Sequence, residues 1–131
     1  MISFLLIHKS KSKALGIDIS FANGIVDWEQ IKDSNIDFVY ARASEGKTIK
    51  DNYFKKNWKG IKKIGLLRGA YHFYVVGDDP AKQVENFLSV FQPVAGDLAP
   101  MLDIEQSSII NSKKFSQKVF EANLIRTLKL I

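Results

Sequence analysis

The chain has 131 residues, 46% apolar, 25% charged and 11% aromatic, which is the composition of one compact globular domain and excludes disorder or a collagen-like repeat. With no cysteine there is no disulfide, thiolate zinc site or cysteine nucleophile, and His8 and His72 are the only imidazoles, so neither a metal nor a cofactor is expected. The net charge of +5, from 19 Lys and Arg against 14 Asp and Glu, suits contact with an anionic polymer.

Residues 1–7 are apolar and are followed by a basic run through Lys13. The apolar stretch is shorter than a signal h-region, its charges follow rather than precede it, and it is too short to span a bilayer. Residues 1–14 are therefore read as a loosely ordered tail or vestigial leader. The first strand is expected at 15–20, with Ile17 and Ile19 on one face and Asp18 and Ser20 on the other. Asn23-Gly24 marks a turn, and Asp27 is placed to cap a short helix with Gln30 at its third position. A second strand is expected at 36–43.

The second helix is expected at 51–64, because Phe54, Trp58, Ile61 and Ile64 follow helical spacing and Gly65 supplies the stop. A third strand follows at 66–75. Asp79-Pro80 starts a third helix whose apolar stripe is Val84, Phe87, Leu88 and Phe91. The fourth strand is placed at 98–105, and a last helix from 112 to the end carries Phe115, Val119, Ala122 and Leu128 on a common face. Strict alternation of strands and helices argues for an α/β fold with a parallel sheet. Length alone favours an open doubly wound sheet over a complete eight-fold barrel, which needs about 200 residues or more.

No G-x-G-x-x-G or G-x-x-x-x-G-K-[ST] follows any strand, which leaves phosphate-cradling chemistry without its backbone. Lys55, Lys56, Lys59, Lys62 and Lys63 lie on the polar side of the second helix and read as a solvated surface, so nucleic acid is not an expected partner. The sharpest feature is Pro100-Met101-Leu102-Asp103-Ile104-Glu105: carboxylates two apart on a strand share a face, with Leu102 and Ile104 turned the other way. Two acids held side by side cannot both ionise cheaply, so one can serve as a proton donor, the machinery of glycoside hydrolysis. In parallel α/β folds the carboxyl ends of strands are where sites are built. Asp18 is either a strand-end cap or a third acid at that rim. The run Tyr71-His72-Phe73-Tyr74 offers aromatic platforms for sugar rings, although a packed core accounts for Phe73 equally well.

Gly16-Ile17-Asp18-Ile19-Ser20, Val26-Asp27-Trp28, residues 38–46 (FVYARASEG), Gly69-Ala70-Tyr71-His72-Phe73, Asp79-Pro80 with Gln83 and Phe87-Leu88, and the acidic segment 100–105 stand in an order that resembles family 25 glycoside hydrolases, the N-acetylmuramidase-type lysozymes of phages and bacteria. The resemblance covers about residues 15–105. It implies a TIM-like barrel in place of the open doubly wound sheet, of which the first four βα units are present and the later strands have no counterpart. It further implies Glu105 as general acid, Asp103 as the carboxylate that assists at the anomeric centre or positions the substrate N-acetyl group, and Asp18 as a further acid of the cleft. Tyr71 and Phe73 would contact sugar and Glu45 would stand at the rim. The implied partner is peptidoglycan, cut between N-acetylmuramic acid and N-acetylglucosamine outside the cell or in the wall. An incomplete barrel leaves its first and fourth strands with unpaired edges, through which two copies could associate. The rival reading is a non-catalytic peptidoglycan-binding or vestigial protein.

Overall fold

A computed structural model describes residues 4–9, 12–106 and 116–131. Strands β1 (Phe4–Lys9), β2 (Ser12–Ile19), β3 (Phe38–Glu45), β4 (Ile49–Lys50), β5 (Leu67–Phe73) and β6 (Met101–Asp103) alternate with helices α1 (Trp28–Lys32), α2 (Phe54–Lys63), α3 (Pro80–Val90) and α4 (Gln117–Leu130). The hydrogen-bonded order is β1-β2-β3-β5-β6, with β4 folded back on β3. β2 with β3 and β5 with β6 are parallel pairs, so the α/β class and the open, incomplete barrel sheet expected above are what the chain forms.

The N-terminal segment differs from the expected tail. Residues 4–9 pair antiparallel with β2, from Phe4 opposite Ile17 to Lys9 opposite Ser12. A parallel partner satisfies only one edge of β2, and an apolar run too short for a membrane has the right length to satisfy the backbone groups of the other. The first parallel strand therefore has no open edge, and the ends of the described sheet are β1 and β6.

The chain clusters into two compact units, residues 1–42, 51–70 and 93–99 forming the first and 43–50, 71–92 and 100–131 the second. In the first, Gly16 and Asp18 stand opposite Phe38 and Tyr40 and share their face, while Ile17, Ile19, Val39 and Ala41 are buried on the other. The phenyl ring of Phe38 lies over Gly16 and the phenol of Tyr40 over Gly69, where any Cβ would collide with the ring. These glycines are close-approach positions, and they let the two aromatics meet edge to face at 6.2 Å. Tyr40 also donates its hydroxyl to the Ala99 carbonyl at 2.9 Å. On α2, Phe54 and Ile61 are buried, Phe54 stacks on Trp58 at 5.2 Å, and all five lysines of the helix are exposed, as the spacing predicts.

In the second unit the Asp79 carboxylate accepts from Lys82 N–H at 3.0 Å with Pro80 in the first turn, and Val84, Phe87 and Phe91 are buried. The last helix departs from expectation. Val119 and Leu128 are exposed, and the inward positions are Phe120, Asn123, Leu124 and Thr127, whose i, i+3, i+4, i+7 spacing makes a tighter stripe than the one read from the apolar residues alone. Phe115, the other end of the expected stripe, lies outside the described residues.

Candidate active site

The carboxyl ends of β3, β5 and β6 meet in the second unit. Phe73 stands opposite Asp103 and Tyr71 opposite Met101 in the parallel ladder; Gly46 N–H donates to the Phe73 carbonyl at 3.1 Å and Tyr74 N–H to the Asp103 carbonyl at 2.8 Å. Paired residues of parallel strands share a face, so Tyr71, Phe73 and Asp103 project together. Glu45 joins them by alternation, because its neighbour Ser44 projects the other way, toward His72 on the helix-covered side. Tyr71 is buried, while Phe73, Glu45 and Asp103 are half-buried.

Two amides on α3 hold this arrangement. Asn86 is buried, and its Nδ2 donates to the Gly46 carbonyl at 2.9 Å and the Ile49 carbonyl at 3.0 Å, which fixes the turn that follows Glu45. Gln83 donates from Nε2 to the carbonyls of Val75 at 3.0 Å and Asp78 at 3.3 Å. Its Oε1 must then accept, from Val75 N–H at 3.0 Å and from His72 Nε2 at 3.1 Å. His72 is thereby the neutral Nε2–H tautomer, and Ser44 Oγ donates to Nδ1 at 2.8 Å. The sequence names Gln83 only as part of the family motif, without a structural role, and gives Asn86 none. The available signal was two amides at helical spacing inside the apolar stripe of Val84 and Phe87.

Burial holds the His72 pKa below its ordinary 6.5, against a smaller opposing effect of the Gln83 hydrogen bond. The unfolded chain then binds a proton near 6.5 that the folded chain refuses, so this group's contribution to stability is complete above that value and is lost as pH falls through the lowered folded value. Urea unfolding at a series of pH values should show this slope in a His8→Gln variant and lack it in a His72→Gln variant. Equal slopes in both would deny the buried neutral imidazole its role.

The acidic segment is shorter as a strand than expected. β6 begins at Met101 and ends at Asp103, so neither 98–100 nor 104–105 belongs to it. Beyond Phe73 the segment after β5 turns through Val75 to Asp78, closed by Asp78 N–H to the Val75 carbonyl at 3.2 Å, and the ladder between β5 and β6 ends at Phe73 and Asp103. Glu105 is exposed just past the strand end. The same-face pairing of Asp103 and Glu105 inferred from two-residue spacing therefore does not rest on a continuous strand. Asp18 belongs to the first unit, half-buried on β2 opposite Tyr40.

Beyond Asp18, the chain makes a short 3₁₀ turn, Phe21–Asn23, in which Ser20 and Asn23 cap one another and Gly24 adopts φ +66°. Asp51, expected to open α2, instead serves this turn. Its Oδ2 accepts from Phe21 N–H and from Arg42 Nε, both at 3.0 Å, and its Oδ1 accepts from Tyr53 N–H at 2.9 Å. A carboxylate buried to 0% exposure of its side chain is satisfied by one cation and two amides. Arg42 also lies over the Phe21 ring, 4.8 Å from its centroid. Sequence reasoning missed this triad because its members are 30 and 9 residues apart.

Parallel strands joined by helical crossovers in an open sheet, with acidic and aromatic side chains at their carboxyl ends, define the class of TIM-like barrel folds, in which sites are built on that rim. The chain belongs to the glycosyl hydrolases family 25, whose model matches residues 17–129. It is similar to the family 25 glycosyl hydrolase from Bacillus anthracis, with a TM-score of 0.83 at 25% identity over 95% of this chain and 58% of that one. The family 25 lysozyme from Aspergillus fumigatus superposes with a TM-score of 0.79 at 31% identity, over 88% of this chain and 57% of that one. YegX of Escherichia coli K12, a protein without a described function, is 32% identical over 109 residues, 79% of this chain and 40% of that protein. The chain thus spans roughly half the length of the relatives it matches.

Proposed function

We propose that this chain carries part of a muramidase site that cleaves the β-1,4 bond between N-acetylmuramic acid and N-acetylglucosamine in peptidoglycan. Glu105 protonates the departing glycosidic oxygen. Asp103 assists at the anomeric centre or positions the N-acetyl group, with Asp18 as a further acid. Tyr71 and Phe73 contact sugar, and Glu45 stands at the rim. The chemistry is proton transfer and carboxylate stabilisation. The observation that supports this reading best is the register of Asp103 against Phe73, which sets a carboxylate on the same face of the sheet as Tyr71, Phe73 and Glu45 at the strand ends. Likeness to a fungal family 25 lysozyme points to the same substrate, and the +5 charge suits an anionic wall as the place of action.

One observation favours a second reading, peptidoglycan binding without turnover: Glu105 lies outside β6 and is exposed, so the strand does not hold it on the face that carries Asp103. Zymography on cell-wall gels separates the two. Clearing supports hydrolysis, retention on insoluble peptidoglycan without clearing supports binding, and neither removes both. Pairing of two copies through the β6 edge belongs to the same proposal and is read by sedimentation of the same sample.

A further inference from the structure

We infer that Phe21 is a stacking platform for one pyranose ring of the glycan, in a subsite at the carboxyl end of β2; this rests on the muramidase reading. Among the described aromatic side chains Phe21 alone is largely exposed, at 51%. An exposed phenyl group in a short turn ordinarily gains nothing by staying still, yet this one is fixed twice by the same buried carboxylate. Asp51 Oδ2 takes the Phe21 N–H at 3.0 Å and the Arg42 Nε at 3.0 Å, and Arg42 then covers one face of the ring at 4.8 Å. The reciprocal Ser20 and Asn23 cap holds the remainder of the turn.

The result is a turn whose backbone is fixed before any ligand arrives, carrying a ring with a guanidinium over one face and about half of the residue's surface open to water. Part of the conformational cost of ordering an aromatic on binding has been met by folding. A flat apolar surface of that size matches the C–H face of a sugar ring, whose hydroxyls point outward around the rim. Its place also fits: Phe21 follows Asp18 by three residues at the end of a parallel strand, where sites of this fold class are assembled.

The test titrates the full chain with a soluble tetrasaccharide of alternating N-acetylglucosamine and N-acetylmuramic acid, followed by calorimetry and by upfield shifts of sugar ring protons. Phe21→Ala should weaken binding by about five- to tenfold and remove the shifts. Phe21→Trp should bind at least as well as the native chain and keep them. Ile25→Ala, a similarly exposed apolar position in the same segment, should change nothing. Phe21→Leu binding as tightly as the native chain, or Phe21→Ala leaving affinity unchanged, would overturn the platform while leaving the muramidase reading intact. A native chain that does not bind the tetrasaccharide at all would remove the muramidase reading and the platform together.

Discussion

Glu105→Gln is expected to lower wall-lytic turnover by about 10²- to 10⁴-fold, the range typical of losing a general acid. The amide keeps the size and shape of the side chain and removes only the proton it would give to the leaving oxygen. Glu105 is exposed and lies beyond β6, and the isosteric amide preserves its shape, so the urea midpoint should stay near the native value. A fall in turnover with unchanged stability is therefore a chemical effect. Zymography with a quantitative turbidity assay reads the first quantity and urea unfolding the second. Full lytic activity in the variant would take Glu105 out of the mechanism and direct attention to Asp103 or Asp18.

The second large effect is structural. Arg42→Met is expected to destabilise the chain by about 3–5 kcal/mol, because it leaves the Asp51 carboxylate charged and buried with its cation gone. Methionine retains the length and apolar stem of arginine, so the loss is one of charge rather than volume. The two amides from Phe21 and Tyr53 remain as partners of Asp51 and cannot neutralise it. Adding Asp51→Asn to Arg42→Met removes the stranded charge and should recover part of the loss, which a double-mutant cycle in urea would measure. Destabilisation below about 1 kcal/mol in the single variant would mean that water reaches the pair and that the triad is a surface feature. The same cycle bears on Phe21, since the guanidinium that neutralises Asp51 is also the group that covers one face of its ring.

The elements that the sequence made legible are those with local signals. Asp27 accepts from Gln30 N–H at 3.1 Å as a cap should, Asp79-Pro80 opens α3, and Gly65 follows α2 at φ +79°. Each depends on residues within one turn of each other, and spacing suffices to find them. The alternation of four strands with amphipathic helices set the class, and the ordered motifs set the family. The acid at the end of the fourth parallel strand and the aromatic face before it were legible as a pattern of period two.

What distance in sequence hides, only the folded chain decided. A strand exists where a neighbour offers hydrogen bonds, so residues 4–9 became β1 because β2 had an unsatisfied edge, and β6 stopped at Asp103, where its ladder with β5 ends at Phe73. Neither partner can be read from the segment itself. The polar supports follow the same rule: Ser44, His72 and Gln83 come from two strands and a helix, and Phe21, Arg42 and Asp51 from a turn, a strand and a loop. Apolar periodicity reports which face of an element is buried, because burial is non-directional and adds along the chain. A buried hydrogen bond or ion pair needs one particular partner at about 3 Å, and that partner is chosen by the tertiary fold.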